Sequence, residues 1–413
     1  MIDFLCFGKI IFVSQYFKKM PNKEVYIVSA VRTPLGSFGG IFANVSAVEL
    51  GAAAIKGALE KGKIDPKNID EVFMGNVCSA NLGQAPARQA ALAAGIPNTA
   101  PSTTVNKVCS SGAKSIMFAA ESIMLGRGDL FVAGGMENMS AVPYYIPKAR
   151  FGYKYGDETL IDGLHKDGLQ DPYEGIAMGI FADQTAEKYG ITREEQDTYA
   201  IRSYQNTSLN SKNGVFANEI VGVSVPTRKG EPTLIIEDEE YKNVKFEKIP
   251  QLHAAFSPKG TVTAANASTI NDGAAALILA SAAAIKKYNL NPLARILSFA
   301  DTAHEPAWFT TAPTHAAPKA LSLANLTLTD VDYFEVNEAF SVVPLAFSKI
   351  LNIDINILNV HGGAVSLGHP LGASGARIVT TLQNILQYKN ATIGCAAICN
   401  GGGGASSIVI ERV

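Results

Sequence analysis

The strongest constraint on this chain is that it resembles itself. Ile69-Asp70-Glu71-Val72-Phe73 is echoed 262 residues later by Val331-Asp332-Tyr333-Phe334-Glu335, and Ser111-Gly112-Ala113-Lys114 is echoed 263 residues later by Ser374-Gly375-Ala376-Arg377. Each of the latter two segments leads into a helix-length run and then a strand-like run, Leu130 to Gly135 and Ile393 to Cys399. The β-branched stretches Val25 to Ala30 and Ala294 to Phe299 open the two copies. Three matches in one order at nearly constant spacing indicate two homologous halves. Strand-like runs alternating with small-residue helices make each half a mostly parallel sheet covered on its faces, so an α/β class is expected. The expected division is an N-terminal half over 21–288 and a C-terminal half over 289–413. Residues 141–267 have no counterpart and read as a subdomain inserted in the first half. Within them, the acidic run at 237–240 reads as a solvated face, and Lys242, Lys245 and Lys248 after it as possible phosphate contacts. Ser46 and Glu49 form a capping box for a helix that buries Ala47, Leu50, Ala54 and Ala58, with Gly62 as its stop.

Composition removes several functions. The 413 residues carry 35 Lys+Arg against 37 Asp+Glu, a net charge of -2 that offers no field for nucleic acid or anionic lipid. The five cysteines are scattered without a CxxC pair, which disfavours a disulfide framework or a zinc site. Residues 4–17 are apolar but too short to span a bilayer. Residues 1–20 fit neither a secretory nor an Arg-rich mitochondrial pattern, so they are expected to be an extension outside the fold. A cytoplasmic location is expected, with a mitochondrial one as the alternative if residues 1–19 are a leader.

Four segments carry candidate chemistry. Asn106 to Lys114, NKVCSSGAK, places Cys109 at an expected helix start, where unpaired N–H groups and the helix dipole would favour a thiolate nucleophile. Its SxxK spacing has no accompanying SDN or KTG. Asn359 to Arg377 contains five glycines and His369, the candidate base, whose counterpart in the first half is Asn106, so two helix starts are expected to meet at one cleft. His361 is expected to make a structural hydrogen bond. Ile398 to Ala405, ICNGGGGA, offers glycine N–H groups as an oxyanion site beside Cys399, and its position before a strand excludes a dinucleotide loop. Val336 to Phe340, VNEAF, offers Asn337 to a water or an oxyanion and Glu338 to orient a histidine.

In this order and spacing the four segments resemble the thiolase family from about residue 24 to the C-terminus. GGMENMS at 134–140 and GTVTAANASTINDGAAA at 260–276 add to the likeness. The resemblance implies two βαβαβαββ halves in a five-layered α/β arrangement with an inserted loop domain. It implies Cys109 as acyl acceptor, His369 as its base and Cys399 as the thiol that takes the α-proton of a second acetyl-CoA. It also implies one oxyanion hole from Asn337, through a water, with His369, and another from the N–H groups of Cys109 and Gly401. The implied reaction converts two acetyl-CoA into acetoacetyl-CoA and CoA, reversibly. CoA contacts are implied at Tyr204, Asn243, Val244, Lys245, Lys248 and Ser268, with Met178 in the acyl pocket. No cofactor beyond the thioester substrates is expected, although a potassium ion is implied at Tyr204, Ala264, Ala265, Ala267 and Val365. The likeness is greatest to cytosolic fungal-type members of the mevalonate route and implies a homotetramer. Ala177 stands where many members have histidine, which leaves a broader-chain 3-ketoacyl-CoA thiolase of fatty acid β-oxidation as the alternative. A decarboxylating condensing enzyme would carry His or Asn in place of Cys399, and a silent acyl-CoA-binding protein would not need the full Cys, His, Cys, Asn set.

Overall fold

The computed structural model describes residues 23–227 and 230–413, so Cys6 and the expected extension over residues 1–20 lie outside the described residues. The first half contributes β1 (Val25–Arg32), α1 (Ala47–Gly62), β2 (Glu71–Gly75), α2 (Pro86–Ala93), β3 (Ser102–Val105), α3 (Ser111–Met124), β4 (Leu130–Asn138) and, after a long excursion, β5 (Asn271–Ser281). Helices α4 (Met178–Tyr189) and α5 (Arg193–Lys212) lie within that excursion. The second half contributes β6 (Ala294–Ala303), α6 (Pro313–Leu323), β7 (Tyr333–Val336), α7 (Val342–Leu351), α8 (Leu371–Tyr388), β8 (Ile393–Asn400) and β9 (Gly404–Arg412).

The repeat seen in the sequence is a repeat in space. The first sheet runs β3-β2-β4-β5-β1 and the second runs β7-β8-β9-β6, with Leu358 bridging β7 where β3 pairs β2. The two join edge to edge where Val25–Ile27 pairs antiparallel with Ala294–Ile296. Even a detail recurs: the Asp70 carboxylate accepts the N–H groups of Asp129 and Leu130, and the Asp332 carboxylate accepts those of Thr392 and Ile393, all at 2.7–2.9 Å.

Three apolar cores separate five layers. Helices α1 and α2 bury Leu50, Ile55 and Ala90 against Met74 and Ile278 of the first sheet. Helices α3 and α8 lie between the sheets, with Ile116, Met117, Ile378 and Val379 packed on Leu279 and Ile410. Helices α6 and α7 cover the outer face of the second sheet, where Ala317 and Phe347 meet Phe334 and Val409. Each sheet must therefore be apolar on both faces, and β5 and β8 read accordingly. The middle helices approach almost backbone to backbone: a Cβ on Gly112 would lie 2.7 Å from the Ala376 nitrogen.

Two local expectations are corrected. Helix α1 has the expected Ser46–Glu49 capping box, but its left-handed terminal residue is Lys63 at φ +53, not Gly62. The acidic run at 237–240 is not simply a solvated face. Asp238 is buried, receives the Arg32 guanidinium at 2.6 and 2.9 Å, and accepts the Leu35 N–H, while Glu219 takes the Arg32 Nε at 2.6 Å. Burying one guanidinium between two carboxylates ties the excursion to β1, because removing any partner would strand a charge.

Candidate active site

The start of α3 is a strained turn. Val108 sits at φ +49, an unfavourable place for a β-branched residue, and thereby presents Cys109 to a cavity of about 550 Å³. His369, Gly401, Met178, Ser268, Phe309 and Phe340 are among the residues that share its wall. The turn is anchored to the second half: Lys107 Nζ donates to Asp301 at 2.6 Å and to the Ser406 hydroxyl at 2.8 Å. The N–H groups of Gly401 and of Cys109 itself are near enough to the Cys109 sulfur to favour its thiolate.

The expectation of a lowered thiol pKa fails. Helix α3 begins at Ser111, two residues beyond Cys109, and burial outweighs the N–H groups, pushing the thiol up to about 12. Cys109 is therefore a thiol that needs a base to become a nucleophile.

His369, on the same cavity wall, is the candidate base. It is buried, and its main-chain N–H donates to Asn271 Oδ1 at 3.1 Å. Its Nδ1 lies 2.6 Å from the Ser374 hydroxyl, which donates its proton to the Pro370 carbonyl at 2.8 Å. With the hydroxyl proton on that carbonyl the hydroxyl accepts from the ring, which puts the ring proton on Nδ1 and a lone pair on Nε2. Among the described residues Nε2 has no hydrogen-bond partner. Burial, with Arg377 adding to it, pulls the imidazole down to about 3, so it is neutral at rest.

Cys399 and Asn337 do not line the cavity. Cys399 is fully buried on the outer face of β8, in the same apolar cluster as Phe309 and Phe340 from the cavity wall. Burial and then the neighbouring Cys109 push its thiol upward. Asn337 is also fully buried; its Oδ1 faces the Arg377 guanidinium, which leaves Nδ2 as the free end of the amide, without a partner. Arg377 is itself paired with buried Glu335 at 3.2 Å, and burial raises that carboxyl to about 8.

The remaining expected positions divide. Met178, Ser268, Ala264 and Ala267 line the cavity. Ala265 does not, but adjoins them. Tyr204, Val244 and Val365 pack in a separate cluster, with Phe246 edge-on to Tyr204. Asn243, Lys245 and Lys248 are exposed on a stretch that begins at Glu240, which lines the cavity.

Two expectations are corrected here. Glu338 orients no histidine: it accepts from Tyr199, Ser203, Asn359 and the Val365 N–H, and so fastens α5 to the loop before His369. Among the described residues the His361 ring makes no hydrogen bond; it packs edge-on against Phe216 and Tyr388. Asn271, Ser374, Glu137 and Asn400 were not singled out by the sequence, although all four lie within motifs that were. Their roles depend on partners far along the chain or on a tautomer.

Residues 25–283 match the family model described as thiolase, N-terminal domain, and residues 290–412 the model described as thiolase, C-terminal domain. The chain is 56% identical over 395 residues to an acetyl-CoA acetyltransferase of Schizosaccharomyces pombe, covering 95% of this chain and 100% of that protein. It is 53% identical over 390 residues to a cytosolic acetyl-CoA acetyltransferase of Gibberella zeae, covering 94% and 98%. The crystal structure of Acat5 thiolase from Ascaris suum in complex with coenzyme A superposes with a TM-score of 0.90 at 46% identity, over 95% of this chain and 100% of that one.

Proposed function

The chain belongs to the thiolase family, and on that premise we propose that it is an acetyl-CoA C-acetyltransferase, condensing two acetyl-CoA to acetoacetyl-CoA and CoA through an acetyl group on Cys109. The observation that carries the reading is the pairing in one cavity of a thiol flanked by two N–H donors with a neutral imidazole whose free nitrogen is bare.

The rest-state protonation sets the order of events. His369 Nε2 takes the Cys109 proton as the sulfur attacks the thioester carbon, and the N–H groups of Cys109 and Gly401 receive the negative oxygen. The departing CoA sulfur takes the proton of Cys399. Cys399, now a thiolate, removes the α-proton of the second acetyl-CoA, whose enolate oxygen is held by His369 and by a water on Asn337 Nδ2. The new carbon–carbon bond forms as the Cys109–acyl bond breaks, and His369 returns the proton to Cys109. Desolvation makes this exchange workable, because neither sulfur is charged at rest and the thiolate left on Cys399 is balanced by the protonated His369.

CoA would lie along the stretch 240–251, with Lys245 and Lys248 exposed to its phosphates and Met178 and Ser268 inside. For potassium the donors are of a suitable kind: among the described residues no main-chain hydrogen bond ends on the carbonyl oxygens of Ala264 or Ala265. Such neutral oxygens, with Ala267 beside them, would hold a monovalent cation that firms the loop flanking the cavity. A cytosolic homotetramer serving the mevalonate route follows the relative from Gibberella zeae in its compartment and the family in the rest.

Acetyl-CoA alone should leave a stable acetyl group on Cys109, read by peptide mass spectrometry. Cys399→Ser should keep the adduct and lose condensation. An unmodified Cys109, or an adduct elsewhere, would end the proposal.

A further inference from the structure

An oxyanion donor on a glycine run needs something to hold it still. Gly402 and Gly403 sit at φ +83 and +81, and four successive glycines have few intrinsic restraints. At the back of the run, His304 N–H donates to the Gly403 carbonyl at 3.0 Å, and a Cβ at 403 would strike the His304 carbonyl. At the front stands Asn400, 7% exposed. Its Oδ1 accepts the Ser110 hydroxyl at 3.0 Å and its Nδ2 donates to the Gly401 carbonyl at 2.8 Å.

Ser110 is the residue after the nucleophile and the N-cap of α3, yet its side chain caps nothing. A serine there ordinarily satisfies a helix N–H. This one reaches into the second half instead, to Asn400 and to the Ile398 carbonyl at 3.3 Å. A Cβ at Gly404 would lie 2.6 Å from Asn400 Nδ2, so the glycine keeps the amide's seat open.

We propose that Asn400 is a positioning residue for the reaction: by joining Ser110 to the Gly401 carbonyl it fixes the Gly401 N–H against the nucleophile turn. The inference rests on the reading of Cys109 as acyl acceptor and Gly401 as oxyanion donor. Asn400 does not line the cavity, so its effect is on turnover more than on binding.

The test uses the full chain with Asn400→Ala, Ser110→Ala and the double variant. The readouts are thiolysis of acetoacetyl-CoA and the pH dependence of Cys109 alkylation by iodoacetamide. Asn400→Ala is expected to lower kcat about 10²-fold with KM little changed, and to move the alkylation profile to higher pH. Ser110→Ala should lower kcat about tenfold, and the double variant should be no worse than Asn400→Ala alone, as for residues acting as one unit. Unchanged kcat and alkylation profile, a rise in KM alone, or independent multiplying effects would overturn the proposal. Should Asn400→Ala not fold, Ser110→Ala decides by the same two readouts. Acetylation of the unmodified enzyme separates the two claims: no acetyl-Cys109 there removes the underlying reading, whereas acetyl-Cys109 with an indifferent Asn400→Ala removes only the positioning role.

Discussion

Glu137 and Asn400 stand 263 residues apart, at corresponding places near the ends of β4 and β8, and each reaches across to the other half. Glu137 accepts the N–H of Gly372 in the first turn of α8, together with those of Val77 and Cys78 and the Asn76 amide, at 2.7–3.0 Å. Asn400 accepts the hydroxyl of Ser110 at the start of α3. One clasp is a carboxylate surrounded by donors and the other a neutral amide with one donor and one acceptor. The first holds the base-bearing turn, where no negative charge has to develop on the helix start itself. The second holds the nucleophile-bearing turn, where a fixed anion would oppose both the thiolate and the tetrahedral oxyanion. Duplication supplied the same reach twice, and the chemistry at each end decided its polarity.

Charging the neutral clasp should do the most damage. Asn400→Asp keeps an acceptor for Ser110, loses the donor to the Gly401 carbonyl and sets a negative charge beside Cys109, so kcat should fall about 10³-fold, further than in Asn400→Ala. A steady-state assay that found the Asp variant equal to or better than the Ala variant would break the comparison. Neutralising the charged clasp should cost stability. In Glu137→Gln the new amide would face main-chain N–H groups with nothing to accept its own protons, at about 2 kcal/mol, read as a lower midpoint in urea. Burial already pushes Glu137 up to about 7, with the three N–H donors pulling the other way.

The smallest effect at neutral pH is expected at a buried second-half side chain that clasps nothing. Burial holds His361 down at about 4, below its unfolded value near 6.5, so the unfolded chain takes up the proton first as pH falls. Its contribution is therefore intact above about pH 6.5 and drains away towards pH 4. His361→Phe, which keeps the edge-on contacts with Phe216 and Tyr388, should recover about 2 kcal/mol at pH 5 relative to pH 8. Thermal melts at the two pH values check it, and an equal change at both would mean that the imidazole titration contributes nothing.

Much of this architecture was legible because duplication and local pattern are properties of neighbouring residues. The repeat at Asp70 and Asp332, the helix starts near Cys109 and His369 and the turn nature of the glycine run could all be read without knowing what each segment touches. The helix-start argument for the Cys109 thiol is local, whereas the desolvation that overrides it comes from a cavity built in part by Met178 and Ser268 of the excursion. Asp238 was misplaced for a similar reason, since its partner Arg32 lies 206 residues away. The His369 tautomer depends on where one hydroxyl proton of Ser374 goes, and spacing carries no trace of that choice.

Gly112 and Gly375 let α3 and α8 touch through main-chain atoms. The gap between the two reactive turns is thereby gauged by peptide planes and not by side chains that can change rotamer. Substitutions accumulating in the surrounding apolar cores have little mechanical advantage over that gap, so sequence can drift there while the spacing of the reactive groups stays calibrated.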